Sequence, residues 1–248
     1  MDRKKTISII TVCFNAALDL QKTINSIRNQ TFTDYEYIVV DGGSKDNTLQ
    51  VIEDNSSFIN KWISEADRGI YDAMNKGLKM SSAEWVIMMN AGDVFVDEYV
   101  LSKIFNQDIP DDKTFLYGDF LSLLDNGTIV RRETSFDKGF LNHQSIIYRR
   151  RLHDEHGLYI VTKKLIISDY LFFIRIPRNE VMRLNMPIAI YDIHGVSSNN
   201  SWPFYQRICA DVCLGRTSFL EMQRRNCVRN IKKILPSFLI DILKKLKK

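Results

Sequence analysis

Between residues 6 and 105, short β-branched apolar runs alternate with amphipathic segments, and this alternation restricts the fold more than any other feature of the chain. TISIITVCF (6–14) and YEYIVVD (35–41) have the character of strands buried on both faces. FINKWISE (58–65) and EWVIMMN (84–90) are a third and a fourth strand. Between them, ALDLQKTINSIRNQ (17–30) places Leu18, Ile24 and Ile27 at near-helical spacing, and Asp46 can cap a helix running through Ile52. IYDAMNKGLKM (70–80) reads as a helix, and another covers 98–105. This order predicts βαβ units and an α/β fold, a mostly parallel, Rossmann-like central sheet flanked by helices. Ligands of such sheets bind beyond the carboxyl ends of the strands. Here those ends carry Asn15, Asp41, residues 65–67 and residues 90–93, which together describe one polar rim.

After residue 110 the pattern changes. TFLYGDFLSLL and TIVRRE flank Asp125-Asn126-Gly127, a hairpin turn. HQSIIYRR (143–150) and NMPIAIYDI (185–193) are further strands. TKKLIISDYLFFIRIP (162–177) reads as one helix, with Leu165, Ile166, Tyr170, Phe173 and Ile174 on a stripe that Asp169 interrupts. From Trp202 onward the chain is helical. The expected organisation is therefore one domain over 1–200, with halves 1–107 and 108–200, followed by a helical extension over 201–248.

The 248 residues are 45% hydrophobic and 26% charged, enough for a full core. The apolar run after the charged N-terminus is too short for a signal peptide, and no 18-residue apolar stretch predicts a spanning helix. Cys13, Cys209, Cys213 and Cys227 contain no CxxC pair and read as buried or free thiols, which points to a cytoplasmic setting. Charge is uneven. Residues 224–248 hold nine Lys/Arg and one Asp, a net +8 in a chain of net +4, so the preceding residues are slightly acidic. The basicity is that of a tail, not of a nucleic-acid-binding surface. In residues 229–248, Ile231, Leu235, Phe238, Leu239, Ile242 and Leu246 form one helical stripe with basic residues mostly off it. Such an amphipathic extension suits an anionic membrane surface.

Several rim residues have chemistry that a core does not need. Asp41 precedes Gly42-Gly43-Ser44, where backbone can approach a ligand and the acid can accept from a ribose hydroxyl or base N–H. Glu65, Asp67 and Asp72 sit with Arg68 and Lys76 around a helix N-terminus, where a diphosphate can be held or where the charges simply pair with one another. Asp93 is a single acid where a buried strand ends. Asp169 interrupts an apolar stripe, and its alternative to a functional role is pairing with Arg175 or Lys164. His153 and His156, three apart with no third ligand evident, read as surface histidines.

ITVCFN, VDGGSKDNT, SEADRGIYDAMNKG and MMNAGDVF, in that order and spacing, resemble the family 2 inverting glycosyltransferases of the GT-A fold, and most of all the bacterial branch that builds surface polysaccharides. The resemblance covers roughly residues 6–200. It implies a UDP-sugar donor, a divalent Mn²⁺ or Mg²⁺ cofactor, and an acceptor saccharide, usually on a polyprenyl diphosphate at the inner face of the cell membrane. Thr11, Asn15 and Asp41 match positions lining the nucleoside pocket, and Asp67 matches an acid near the uridine. Residues 90–93 match the acidic metal motif, with Asn90 and Gly92 where acids often occur, which leaves Asp93 as the metal ligand. Asp169 matches the acid before a long apolar helix and is the expected catalytic base. His143-Gln144 matches a His-Gln near the acceptor side, and His194 a loop that could reach the diphosphate. Two competing functions remain: a non-catalytic nucleotide-sugar-binding subunit, which the reduced metal motif favours, and a nucleotidyltransferase. CFNAALDL lacks the glycine-rich, basic loop the latter usually carries.

Overall fold

The computed structural model describes residues 5–124, 126–192 and 202–234. Its contacts cluster into two compact units, residues 1–199 and 200–248. In the first unit, β1 (Ile7–Cys13), β2 (Tyr35–Asp41), β3 (Lys61–Ser64) and β4 (Trp85–Met88) pair in parallel in the order β3-β2-β1-β4. The connections are α1 (Ala17–Arg28), α2 (Thr48–Asp54) and α3 (Ile70–Met80). All four strands therefore end on one edge, as the alternation predicts.

The second half of the sheet is mixed. β8 (Ile146–Arg149) runs antiparallel to β4 and to β6 (Phe115–Leu123). β9 (Val181–Asp192) lies parallel to β6, and the short β5 (Val94–Phe95) pairs with β9 at the far edge. β7 (Ile129–Arg132) folds back on β6 through the expected hairpin, where Gly127 donates to the Leu124 carbonyl at 2.8 Å. Among the described residues the sheet has nine strands.

Strand residues alternate between two cores. Ile7, Ile9, Tyr37, Val39 and Ile87 join α1, α2 and α4 (Val100–Phe105) on one face. Ile10, Val12, Ile38, Val40, Val86 and Met88 join α3, α5 (Leu152–His156) and α6 (Ser168–Phe173) on the other. Each of the fully buried aliphatic side chains contributes about 1.5–3 kcal/mol by leaving water. At the edge opposite the rim, Glu36 ties three strands together by accepting from Ser8 Oγ (2.6 Å), Lys61 Nζ (3.0 Å) and the Ala83 amide (3.0 Å).

Three local expectations need correction. On α1 the buried face is Leu20, Thr23, Ile24 and Ile27, and Leu18 is exposed, because six residues separate it from Ile24 and carry it off that face. The segment 162–177 is not one helix, since only Ser168–Phe173 is helical. Thr162 Oγ1 accepts from the Leu165 amide (3.0 Å), and Ser168 Oγ accepts from the Ile160 amide (2.6 Å), so side-chain oxygens compete with helical backbone bonding. Finally, His153 is not at the surface. It is buried, stacks on Phe172 with ring centroids 4.2 Å apart, and meets the Tyr148 hydroxyl at 3.0 Å and the Gly157 carbonyl at 3.0 Å.

In the second unit, α7 (Trp202–Cys213) and α8 (Phe219–Ile234) pack together, with the Arg229 guanidinium 4.2 Å from the centre of the Phe204 ring. No helix among the described residues is long and apolar enough to cross a membrane. The His194 loop and residues 235–248 of the basic stripe lie outside the described residues.

Burial pushes the His153 imidazole down to about 4, so the unfolded chain takes up a proton near pH 6.5 that the folded chain refuses until about pH 4. The unfolded state then binds more protons across that window, and stability falls as pH drops through it, by up to about 3 kcal/mol. Urea unfolding at pH 7 and pH 4.5 should show this loss, and His153→Phe should flatten it.

Candidate active site

The loops after β1 and β2 are locked to each other before any ligand arrives. Asn15 adopts a left-handed backbone (φ 49°), its side-chain Oδ1 accepts from the Lys45 amide (2.8 Å), and its amide donates to Ser44 Oγ (2.7 Å). Asp41 is fully buried and accepts from the Gly43 and Ser44 amides (3.2 and 3.0 Å) and from the Ser64 and Ser44 hydroxyls. The carboxylate expected to meet a ribose is thus used to hold the loop that would do so. Thr11 is also enclosed, donating to the Met89 carbonyl (2.7 Å) and accepting from Tyr37 (3.1 Å).

Around Asp67 the rim is open. Asp67 Oδ1 accepts from the Gly69 amide (2.8 Å). A Cβ at Gly42 would lie 2.5 Å from Asp67 Oδ2 and 3.3 Å from the Phe14 ring, so glycine lets these two groups close over the loop. Phe14, 61% exposed directly after β1, is a candidate site residue that sequence reasoning missed, although an aromatic breaking the buried pattern at a strand end was a usable signal. Asp72 and Lys76 are ion-paired, Asp72 with Arg68 (2.9 Å) and Lys76 with Glu65 (2.9 Å), as the simpler reading of that cluster had it.

The bend after β4 brings together residues from distant parts of the chain. Gly92 has φ 97°, a conformation that side-chain-bearing residues rarely adopt, and its amide donates to Thr23 Oγ1 (3.0 Å). This is a backbone reason for glycine where an acid often stands. Asp93 is buried, and its Oδ2 accepts from Gln144 Nε2 at 2.6 Å. The Asn90 amide nitrogen contacts His143 Nε2 at 2.8 Å, and His143 Nδ1 lies 3.3 Å from Asp169 Oδ2. With Asn90 donating, the neutral ring carries its proton on Nδ1, facing Asp169. Asp169, in the first turn of α6, also accepts from the Tyr71 hydroxyl at 2.7 Å. Burial, and then the Asp169 charge, push the Tyr71 phenol well up, so it stays protonated as a donor.

Asp93, Asn90, His143 and Asp169 are thus joined at one place, while Thr11, Asp41 and Asp72 are turned to internal bonds. Asn90 Oδ1 and Gln144 Oε1 are buried without a hydrogen-bonding partner. Amide and carboxylate oxygens are the donor type that suits a hard divalent cation, and the Gln144 amide bonds the Asp93 carboxylate through its Nε2. Among the described residues no cluster of three His, Cys, Asp or Glu side chains is poised to hold a metal.

The family model described as "Glycosyl transferase family 2" matches residues 8–176. A "PGL/p-HBAD biosynthesis glycosyltransferase" of Mycobacterium bovis (strain BCG / Pasteur 1173P2) is 28% identical over 235 residues, covering 88% of this chain and 90% of that protein. The Escherichia coli "UDP-Glc:alpha-D-GlcNAc-diphosphoundecaprenol beta-1,3-glucosyltransferase WfgD" is 28% identical over 150 residues, covering 59% of this chain and 54% of that one. Among solved structures, S. aureus TarS in complex with UDP-GlcNAc superposes with a TM-score of 0.65 at 19% identity, over 75% of this chain and 58% of that one. Mannosyltransferase PcManGT from Pyrobaculum calidifontis, in complex with GDP-Man and Mn²⁺, superposes with a TM-score of 0.61 at 14% identity, over 84% and 61%. These structures share the GT-A fold of the chain. With the family match spanning both β1 and the Asp169 helix, the chain belongs to glycosyl transferase family 2.

Proposed function

We propose that the protein transfers a sugar, with inversion, from a UDP-sugar to a hydroxyl of an acceptor saccharide carried on a polyprenyl diphosphate. The observation that carries this reading is the hydrogen-bonded line Asn90–His143–Asp169 beside Asp93. On this reading Asp93 belongs to the donor side and Asp169 to the acceptor side, with Asn90 hydrogen-bonded to His143 and His143 to Asp169. WfgD, by its name, uses a UDP-sugar and a diphosphoundecaprenol acceptor, and it supplies the donor and acceptor classes.

On this reading the Phe14 ring stacks on the uracil and Asp67 accepts from the nucleoside. Asp41 and Asn15 hold the intervening loop in shape. Asp93, with Asn90 Oδ1 and Gln144 Oε1, would hold Mg²⁺ or Mn²⁺, which when bound would offset the negative charge that develops on the departing diphosphate. Asp169 takes the proton of the acceptor hydroxyl as its oxygen bonds to C1 and the bond from C1 to the diphosphate oxygen breaks. His143 orients Asp169 through its Nδ1–H. The basic, amphipathic residues 229–248 bring the enzyme to the inner membrane face where such acceptors lie, each basic residue contributing about 1 kcal/mol.

Asp169→Asn should keep its fold and its UDP affinity and lose transfer by about 10²–10⁴-fold, read by UDP release against a panel of UDP-sugars. Retained transfer would remove Asp169 from the role of base. Calorimetric Mn²⁺ titration should show weak binding to the nucleotide-free protein and firm binding with UDP present, since one carboxylate needs the diphosphate to complete the shell. Tight binding without nucleotide contradicts this. Deleting residues 229–248 should move the protein from the membrane pellet to the supernatant, and unchanged partitioning would refute the anchor.

A further inference from the structure

We infer that Tyr71 is a positioning residue for the Asp169 carboxylate, and that α3, a helix of the donor-binding half, sets the geometry of the acceptor-side base. The inference rests on the reading of Asp169 as that base. Tyr71 lies in the first turn of α3, directly after the loop that carries Asp67. Its ring is 8% exposed and packs 5.7 Å from the Tyr159 ring. A phenol so enclosed is costly unless its hydroxyl is satisfied, and this one donates to Asp169 Oδ1 at 2.7 Å across 98 residues of chain.

α6 has six residues and no side-chain cap at its N-terminus, and a helix of that length has little stability of its own. The segment leading into it is held from α3. One turn beyond Tyr71, the buried Asn75 donates to the Tyr159 carbonyl (2.8 Å) and accepts from the Tyr159 amide (3.0 Å). The next residue, Ile160, donates to Ser168 Oγ (2.6 Å), the first residue of α6. Tyr71 and Asn75, at i and i+4, lie on one helix face and clamp both the lead-in and the carboxylate. The hydroxyl orients the carboxylate plane, and a base must be held within about 0.5 Å of its productive geometry to act efficiently.

The full-length Tyr71→Phe protein tests this, because it removes one oxygen and keeps the ring contact with Tyr159. A displaced base costs turnover by up to about 100-fold while leaving the donor site intact. The expected result is a kcat for transfer lowered by about 10- to 100-fold, with donor KM and UDP affinity close to those of the unaltered protein and Tm lowered by no more than the loss of one buried hydrogen bond. A kcat within twofold of the unaltered protein overturns the inference. So does a joint loss of kcat, UDP affinity and Tm, which would make Tyr71 a packing residue. Asp169→Asn, assayed alongside, separates the two readings. If Asp169→Asn retains transfer, the assignment of the base fails. If it is inactive while Tyr71→Phe turns over normally, only the role of Tyr71 fails.

Discussion

The antiparallel pairing of β8 with β4 is the constraint on which the candidate site depends. β4 is held on its other side by β1, in parallel, so it is the seam between a parallel half-sheet and a mixed one. Its register sets Val86 beside Tyr148 and Ile87 beside Ile147. The residues that follow β4 therefore leave the sheet beside those that enter β8. Asn90 and Asp93 consequently meet His143 and Gln144, and a bend that would otherwise carry one isolated acid becomes a four-residue polar cluster.

Inside that cluster, burial and hydrogen bonding act together. Asp93 and Asp169 are both largely removed from solvent, where an unpaired carboxylate is costly. Each is given a neutral donor close by, Gln144 for Asp93 and Tyr71 for Asp169. Neutral donors stabilise the charged form without the cost of a second buried charge. Asp119, farther along β6, shows the other solution. Burial would raise its carboxyl, yet the Thr134 amide and the Arg131 guanidinium hold it below the usual carboxylate range.

Much of this was legible in the sequence where local pattern decides the outcome. The four parallel strands, the α3 helix and the hairpin at Gly127 follow from β-branched runs, helical spacing and turn chemistry. His153 and the 162–177 segment were misread because their structure is set by partners outside the local pattern. A histidine at helix spacing gives no hint that Phe172 and Tyr148 enclose it. An apolar stripe gives no hint that Thr162 and Ser168 spend their oxygens on nearby backbone amides.

For the site itself, the amino-acid order alone determined which strand ends are polar, and four ordered motifs were enough to point to the family. Tertiary structure decided which partner each acid meets. Asp41 and Asp72 are taken up by their own loops and helix, whereas Asp93 and Asp169 find donors 51 and 98 residues away. The contact of Tyr71 with Asp169 was invisible for the same reason. A side chain's role depends on the donor or acceptor the folded chain brings to it, and sequence spacing does not encode contacts made across a sheet.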